Sequence, residues 1–288
     1  MDNPCTCAEK VLPNGTVVSS FPGVGGEWEV PSQFQHVLEY FRHGIDVSEA
    51  SVVLDIGANI GLFALTVYDR CKGNVCVHSF EPIPPTFDDL EKNFSCYDTN
   101  KLKAYPFGIS NKTGTLSFTH YPNAPGLSTH YPEYMKVGLE QMLNNIESNA
   151  EALPEFFVNA NKQEITEDKD KSRFNKMRAV LGLKTVFQEL HVQCQVKTLS
   201  DFMKENTIEK IDLLKVDVNG SEMDVFEGIE DRDWQKIRQV VTEVPLGGER
   251  LEILKDLLHK KGFTSVIAEE QAPVVNKGLA YFIVYAKK

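Results

Sequence analysis

One short stretch, DIGANIG, contains Asp55, Gly57, Asn59 and Gly61 and combines the features of a site for a small charged ligand. The glycines permit backbone conformations with positive φ and let N–H groups approach a ligand closely. Asp55 places a carboxylate just ahead of the turn. A diphosphate binds at a helix N-terminus free of nearby negative charge, so this carboxylate argues against a dinucleotide and favours a ligand with positive charge.

A second carboxylate narrows the choice of ligand to S-adenosylmethionine, whose amino and sulfonium groups carry positive charge. Glu81 follows the next predicted strand, Val75–Phe80, where α/β folds place the acid that accepts both ribose hydroxyls of a nucleoside. Pro82 comes directly after it. A small-residue turn, Gly108-Ile109, follows the third predicted strand and is suited to flank an adenine ring. These residues predict S-adenosylmethionine as the cofactor and S-adenosylhomocysteine as its product.

Buried strands must bring these groups to one edge of a sheet. Val52–Leu54 is a short apolar run typical of a parallel strand that is covered on both faces. Two later strands, Ile211–Val216 and Val240–Val241, lead to Asp217 and Glu243. Because open α/β sheets bind ligands at the carboxyl ends of their strands, we expect these two carboxylates at the same edge as the glycine turn.

A predicted helix precedes the first core strand. It starts at Pro31, ends near Gly44 and carries His36, with apolar residues at helical spacing along one face. Such a helix is positioned to lie across the ligand mouth. The sequence therefore predicts an N-terminal extension with a lid helix, residues 1–50, followed by a core domain, residues 51–288.

Residues 119–190 interrupt the alternation of strands and helices, which resumes with Val192–Val196. A structureless loop of this length is improbable inside a compact domain, so we predict a helical insertion. We expect it to act as a lid over the substrate pocket, with His130 in its first part.

Composition limits the class of protein. The chain has 288 residues, 42% of them hydrophobic, which is enough to bury the core of a large α/β domain. A formal net charge of −11 argues against a nucleic-acid partner. No apolar run approaches the roughly 18 residues of a membrane span, and the N-terminus lacks a signal peptide's apolar core. The expectation is a cytoplasmic protein with neither membrane nor nucleic-acid partner, and the cysteine spacing predicts no metal site.

Four motifs in order resemble the FkbM family of S-adenosylmethionine-dependent methyltransferases. They read VVLDIGANIGLF, HSFEPIPPTFDDLEKNF, AYPFGIS and IDLLKVDVNGSEMDVFEGIE. The chain is most similar to members associated with polyketide and nonribosomal peptide biosynthesis. The resemblance implies an α/β, Rossmann-like, class I methyltransferase sheet of seven strands, mostly parallel with the last strand antiparallel. It also implies that Asp55, Gly57, Asn59 and Gly61 hold the methionine part of the cofactor and Glu81 the ribose.

The chain departs from the family pattern at two positions. Relatives usually carry Glu after the KxDV strand, where this chain has Asn219, and Glu222 one turn later is the nearest substitute. Many relatives carry His close behind the acid of the next strand, whereas Val244-Pro245 follows Glu243 here. The identity of the base and the class of substrate are therefore left open by the resemblance.

Methyl transfer requires a nucleophile in line with the methyl group, and a hydroxyl nucleophile also requires a base. Asp217 is the predicted acid nearest the methyl, and the other candidate catalytic residues are His36, His130, Glu243 and Glu222. Asp217 with Glu243 as a hard-cation site is a minority alternative.

The sequence thus predicts an O-methyltransferase for a hydroxyl or carboxyl of a small natural product or a carrier-protein-bound intermediate. Two alternatives remain open at this point: N-methylation of an amide or amine, and a non-catalytic module that has kept the methyltransferase fold. Binding of S-adenosylmethionine with turnover would distinguish a catalyst from such a module.

Overall fold

The structure covers most of the predicted core domain and the helix before it. This computed structural model describes residues 10–18, 26–134, 136–137, 140, 185, 187–245, 247–271 and 281–288. Most of the predicted helical insertion, residues 141–184, lies outside the described residues, so its helical content and its role as a lid stay predictions.

The described residues form twelve strands in three sheets. In chain order they are β1 Lys10–Val11, β2 Val17–Val18, β3 Ser51–Ile56, β4 Val75–Phe80, β5 Leu102–Tyr105, β6 Gly108–Ile109, β7 Gly114–His120, β8 Leu190–Lys197, β9 Leu213–Val216, β10 Gln239–Pro245, β11 Ser265–Gln271 and β12 Tyr281–Lys287. The two shortest, β1 and β2, pair as an antiparallel N-terminal hairpin.

The main sheet has seven strands in the order β11-β12-β10-β9-β3-β4-β5. The run from β10 through β9, β3 and β4 to β5 is parallel, whereas β12 is antiparallel to both of its neighbours. This arrangement confirms the predicted mixed α/β sheet, including the antiparallel last strand. It also places β9 directly beside β3, so the residues that follow these two strands meet at one edge.

Six α-helices with defined bounds surround the sheet in the described part of the chain. They are α1 Gly26–Glu39, α2 Leu62–Arg70, α3 Pro84–Ser95, α4 Leu199–Glu205, α5 Glu222–Glu227 and α6 Glu249–Lys260. Helix α3 begins at Pro84, as proline's preference for the first turn predicts. Helix α1 begins at Gly26 and ends at Glu39, whereas the sequence predicted a helix from Pro31 to near Gly44. The early start was missed because residues 26–30 precede the apolar residues at helical spacing on which the prediction rested.

Two apolar layers cover the two faces of the main sheet. Val53 packs in one layer with Phe63 and Leu65 of α2, and its neighbour Leu54 packs in the other with Phe202 of α4. Alternation along β3 thus buries both faces, as the continuous apolar run predicts. Full burial of each such side chain contributes about 1.5–3 kcal/mol, so the strands that carry the site are held on both sides.

A smaller sheet changes the bounds of the insertion that the sequence predicted over residues 119–190. Its order is β6-β8-β7, and β7 pairs antiparallel with β8 over its full length. Thr119 and His120 belong to β7 and Leu190 begins β8, so the insertion joins two paired strands and starts after residue 120. The strand around Val192–Val196 therefore does not resume the main sheet. Sequence periodicity could not show this, because both sheets contain strands of similar length.

Candidate active site

A cavity of about 740 Å³ opens at the carboxyl edge of the main sheet. Its wall includes Gly57 and Asn59 from the turn after β3, Asp217 after β9, Glu243 on β10 and His36 on α1. The structure therefore brings together five residues that the sequence analysis proposed from separate segments. Glu243 lies within β10, which continues to residue 245, and its side chain still borders the cavity.

The glycine turn is tightly packed against the neighbouring strand. Gly57 has φ +75°, and a Cβ atom there would lie 1.9 Å from the carbonyl oxygen of Asp217. Gly61 has φ +92°, and a Cβ atom would approach Phe94 and Leu90 to 2.7 and 2.8 Å. Glycine is thus required at both positions by conformation and by packing. Any substitution at Gly57 acts on the fold as well as on a ligand.

Asp55 lies below the turn and has a buried cationic partner. Its side chain is 0% exposed, and its Oδ1 lies 3.1 Å from Nζ of Lys215. Lys215 also donates to the carbonyl oxygen of Gly57 at 2.7 Å. Burial raises the pKa of Asp55, and the adjacent ammonium opposes that rise. The charge of Asp55 is therefore engaged by Lys215, and the pair braces the turn from behind.

Lys215 borders the cavity and is a residue of the candidate site that the sequence analysis missed, although a signal was present. It stands in the apolar strand β9, and it pairs in register with Asp55 on β3. A lysine almost never becomes fully buried without a partner. Asp55, the acid that begins the DIGANIG stretch, is that partner.

Glu81 braces the same turn from the other side. Its Oε2 accepts from the backbone N–H of Asn59 and its Oε1 from that of Ile83, both at 3.0 Å. Burial raises the pKa of Glu81 to about 7, against the effect of these two hydrogen bonds. Asn59 borders the cavity, and its buried Oδ1 finds no hydrogen-bond partner among the described residues. Such an orphaned acceptor is suited to a donor group of a ligand.

A second, narrow cleft of about 30 Å³ adjoins the turn and shares Gly57 with the large cavity. Its lining includes Gly108 and Ile109, the residues proposed to flank an adenine ring, and Pro82, which follows Glu81. His130 lines this cleft as well, and its Nδ1 donates to the carbonyl oxygen of Ser117 at 2.8 Å. The structure thus places His130 beside the proposed adenine residues and apart from Asp217.

Two carboxylates, a phenol and an imidazole form a cluster in the cavity wall. Tyr40, directly after α1, donates its hydroxyl to Oε1 of Glu243 at 2.7 Å and lies 3.1 Å from Oδ2 of Asp217. Nε2 of His36 hydrogen-bonds the same Oε1 of Glu243, and Nζ of Lys215 lies 3.8 Å from Asp217. Tyr40 is the second residue that the sequence analysis missed, because nothing in the sequence shows how α1 docks on the sheet.

The charges of this cluster are distributed unequally. Burial opposes the imidazolium, but the hydrogen bond and charge of Glu243 outweigh it and raise the pKa of His36 to about 9. Burial likewise opposes ionisation of Glu243, but His36 and then Tyr40 outweigh it and lower the pKa. Burial, followed by the like charge of Glu243, raises the pKa of Asp217 to about 6. At neutral pH His36 is a cation, whereas Asp217 is largely ionised, because its pKa lies about one unit below that pH.

Glu222 lies outside the cluster and serves the turn before α5. Its Oε1 accepts from the backbone N–H of Gly220 at 2.9 Å, and its Oε2 lies 3.4 Å from the guanidinium of Arg250. The side chain is 2% exposed, and burial raises its pKa to about 7. The structure does not bring Glu222 to the cavity wall with Asp217, so it offers no geometry for a base there.

Asn219 holds a loop over the cavity. Its Nδ2 donates to the carbonyl oxygens of Gly126 and Ser128 at 2.8 and 3.1 Å. Thr129 donates its hydroxyl to the carbonyl oxygen of Asn219 at 2.7 Å, and Gly126 borders the cavity. A glutamate at this position would present only acceptor oxygens to two carbonyls. The departure from the family pattern thus replaces an acid with the donor that this loop needs.

Within the described ranges, no group of three His, Cys, Asp or Glu residues has a geometry that could hold a metal ion. Nor is any helix within those ranges long and apolar enough to cross a membrane.

Comparison with known proteins identifies the family. The profile of the methyltransferase FkbM domain matches residues 55–264. Methyltransferase 1 of Beauveria bassiana (strain ARSEF 2860) is 30% identical over 243 residues, which cover 83% of this chain and 81% of that protein. Methyltransferase sdnD of Sordaria araneosa is 31% identical over 251 residues, covering 82% and 83% respectively.

A third relative matches more of the chain. The 31-O-demethyl-FK506 methyltransferase FkbM of Streptomyces tacrolimicus is 32% identical over 259 residues, which cover 90% of this chain and 89% of that protein. The profile match spans well over half of the sequence, and the relatives match over most of their own length. This chain therefore belongs to the FkbM family of methyltransferases.

Proposed function

We propose that the protein is an S-adenosylmethionine-dependent O-methyltransferase of natural-product biosynthesis, acting on a hydroxyl or carboxyl of a small molecule or of a carrier-bound intermediate. The observation that carries this proposal is that Asp217 and Glu243 border the same cavity as the Gly57 turn. A turn suited to a cationic cofactor and a carboxylate suited to accept a proton thus face one space.

The residues around the turn fit S-adenosylmethionine. Asn59 offers a buried oxygen that lacks a partner within the described residues, and Pro82, Gly108 and Ile109 border a cleft next to the turn. Glu81 would hold the ribose with the lone pairs that its two backbone hydrogen bonds leave free. Asp55 would act indirectly, because its carboxylate is engaged by Lys215.

When bound, this cofactor supplies an electrophilic methyl group on a positively charged sulfur. The chain's own residues supply position and a proton acceptor. A hydroxyl, whose pKa lies far above 7, needs such an acceptor. Asp217 meets this need best, because His36 is protonated at neutral pH and His130 lies in the adjoining cleft.

The cations of the cavity wall favour a hydroxyl over a carboxylate acceptor. Lys215 pairs with Asp55, and His36 hydrogen-bonds Glu243. Arg42 lies 2.9 Å from a carboxylate oxygen of Glu269. An acceptor carboxylate would therefore compete for cations that already have partners and would approach Asp217, a like charge. A hydroxyl meets neither obstacle.

The relatives support oxygen as the acceptor atom. The Streptomyces tacrolimicus protein is named as a methyltransferase of 31-O-demethyl-FK506, which denotes methylation of an oxygen on a natural product. Transfer to nitrogen has less support from the cavity, because carboxylates at Asp217 and Glu243 favour the protonated amine, which lacks the lone pair needed for attack.

Calorimetric titration with S-adenosylmethionine and S-adenosylhomocysteine is the first test, and we expect both to bind. The second test is methyl transfer to a panel of polyketide and peptide alcohols, acids and amines, followed by mass spectrometry. Alkali distinguishes the products, because methyl esters hydrolyse and methyl ethers do not. Asp217→Asn should still bind the cofactor but lose transfer to alcohols, whereas Glu252→Gln on the surface of α6 should behave like wild type. Absence of cofactor binding would indicate a non-catalytic module.

A further inference from the structure

The hydroxyl of Tyr40 lies between the two carboxylates of the cluster but has only one proton to give. It is 2.7 Å from Oε1 of Glu243 and 3.1 Å from Oδ2 of Asp217. A phenol donates one hydrogen bond and accepts through its lone pairs. The shorter contact assigns the proton to Glu243, which leaves an oxygen lone pair of Tyr40 facing Asp217.

Glu243 keeps its negative charge because it receives two donors. Nε2 of His36 and the hydroxyl of Tyr40 both hydrogen-bond its Oε1. With the Tyr40 proton on Glu243, Asp217 has no comparable donor among the described residues, since Nζ of Lys215 is 3.8 Å away and is nearer to Asp55. When a proton arrives at Asp217, the new O–H group can donate to Tyr40 without displacing any existing hydrogen bond.

We propose that Tyr40 is a positioning residue that accepts the hydrogen bond of protonated Asp217. A chain of hydrogen bonds from Asp217 through Tyr40 to Glu243 is then in place when the substrate oxygen that accepts the methyl group loses its proton. This inference rests on the proposed function. In the reaction the acceptor oxygen gains the methyl group and gives its proton to Asp217, and the electrons of the carbon–sulfur bond remain on sulfur. His36 contributes by holding Glu243 ionised.

Other charged and titratable groups also act on Asp217, and the test must leave them in place. They are His36 on α1, Lys215 on β9, Glu222 on α5, Glu243 on β10 and Tyr281 on β12, while Glu39 on α1 and Asp55 on β3 act on His36 and Lys215 in turn. Tyr40→Phe removes a single oxygen and one of the two donors to Glu243, but His36 still hydrogen-bonds Glu243 and all the charged groups remain in place. The variant is nearly isosteric, so the fold should be retained.

The test is the ¹³C NMR titration of the Asp217 carboxyl, assigned through loss of its signal in Asp217→Asn. Phenylalanine at position 40 cannot accept a hydrogen bond, so protonated Asp217 loses its partner. We expect Tyr40→Phe to lower the titration midpoint by about one pH unit, a tenfold loss of proton affinity. Tyr285→Phe is the matched control, because Tyr285 is equally buried but donates to the carbonyl oxygen of Glu39 at 3.0 Å. Its midpoint should equal that of wild type.

The direction in which the Asp217 midpoint moves in Tyr40→Phe shows whether Tyr40 accepts from Asp217 or donates to it. If Tyr40 instead donated to ionised Asp217, its removal would raise the midpoint, and a purely structural Tyr40 would leave the midpoint unchanged. Either result would overturn the inference and leave the proposed function standing.

A ligand experiment connects the network to the methyl position. Sinefungin carries an ammonium group where S-adenosylmethionine carries its methyl, whereas S-adenosylhomocysteine carries nothing there. The preference for sinefungin over S-adenosylhomocysteine should disappear as Asp217 is protonated, and in Tyr40→Phe it should disappear at lower pH by the same amount. Binding of both ligands with a preference independent of pH would overturn the inference. Failure of sinefungin alone to bind would also overturn the inference, and failure of both ligands to bind would overturn the proposed function along with it.

Discussion

His36→Gln should reveal whether the imidazole is a cation in the folded protein, which decides between His36 and Asp217 as the base. The hydrogen bond to Glu243 raises the pKa of His36 to about 9 from its usual 6.5. Between these values the folded state binds a proton that the unfolded state has released. The contribution of His36 to stability is therefore complete below pH 6.5 and is lost as the pH rises through 9.

The size of the effect follows from the same two values. The difference between 6.5 and about 9 corresponds to about 3 kcal/mol at 25 °C, lost at about 1.4 kcal/mol per pH unit. The side chain of His36 is 26% exposed, so solvent screens this interaction only in part. The measurements should be made at neutral pH and above. The pKa of Asp217 is about 6, so its titration would contribute to the pH dependence at lower pH.

The difference in free energy of unfolding between wild type and His36→Gln is measured by urea unfolding, followed by circular dichroism. The measurement is repeated from about pH 7 to about pH 9.5. We expect that difference to shrink steadily with rising pH. His43→Gln is the control, because His43 lies 2.8 Å from Glu269 in a pair about one third exposed, which solvent screens. A difference for His36→Gln that is constant across the window would refute the reasoning and restore His36 as a candidate base.

Three further predictions concern the turn, the ribose site and the loop. Gly57→Ala should lower the free energy of unfolding in urea by about 1–3 kcal/mol more than Gly262→Ala. Both glycines have positive φ, but only a Cβ atom at Gly57 meets another atom within 4 Å. Equal losses would contradict the close packing at Gly57. Glu81→Gln should weaken S-adenosylmethionine and S-adenosylhomocysteine alike by roughly tenfold to a hundredfold in calorimetry, and unchanged affinities would mean that it only braces the turn. Asn219→Asp should lower the free energy of unfolding by about 1–3 kcal/mol and speed proteolysis of residues 121–131. The reason is that it removes the donor to two carbonyl oxygens of that loop. Unchanged cleavage would show that other contacts hold the loop.

Local signals explain how much of the architecture could be predicted from the sequence. Val52–Leu54 is apolar at every position because both faces of β3 are covered, and this needs no knowledge of the partner strands. Gly57 and Gly61 mark the turn because their positive φ values exclude most side chains. Asp217 follows an apolar strand, so the general rule for ligand sites in open sheets sufficed to locate it.

Partners from distant parts of the chain could not be predicted in the same way. The sequence analysis interpreted Asp55 as facing a cationic ligand, whereas in the structure Lys215 faces it across the β3–β9 pair. That pairing depends on strand order, which periodicity does not encode. Asn219 likewise looked like the loss of a functional acid until the loop carbonyls that it binds were seen. A substitution can be understood only when its spatial neighbours are known.

The cluster around Asp217 combines residues from inside and outside the span that defines the family. The profile match covers residues 55–264, which include the glycine turn, Asp217 and Glu243. His36 and Tyr40 come from α1 and the residue that follows it, before that span begins. Yet these two supply the hydrogen bonds that hold Glu243 ionised. The charge of Glu243 raises the pKa of Asp217, whereas the charge of His36 lowers it. Changes in α1 can therefore adjust the acidity of the site while the turn and the sheet stay intact. An N-terminal helix that looks like an extension thus contributes His36, and Tyr40 directly after it, to the wall of the cavity.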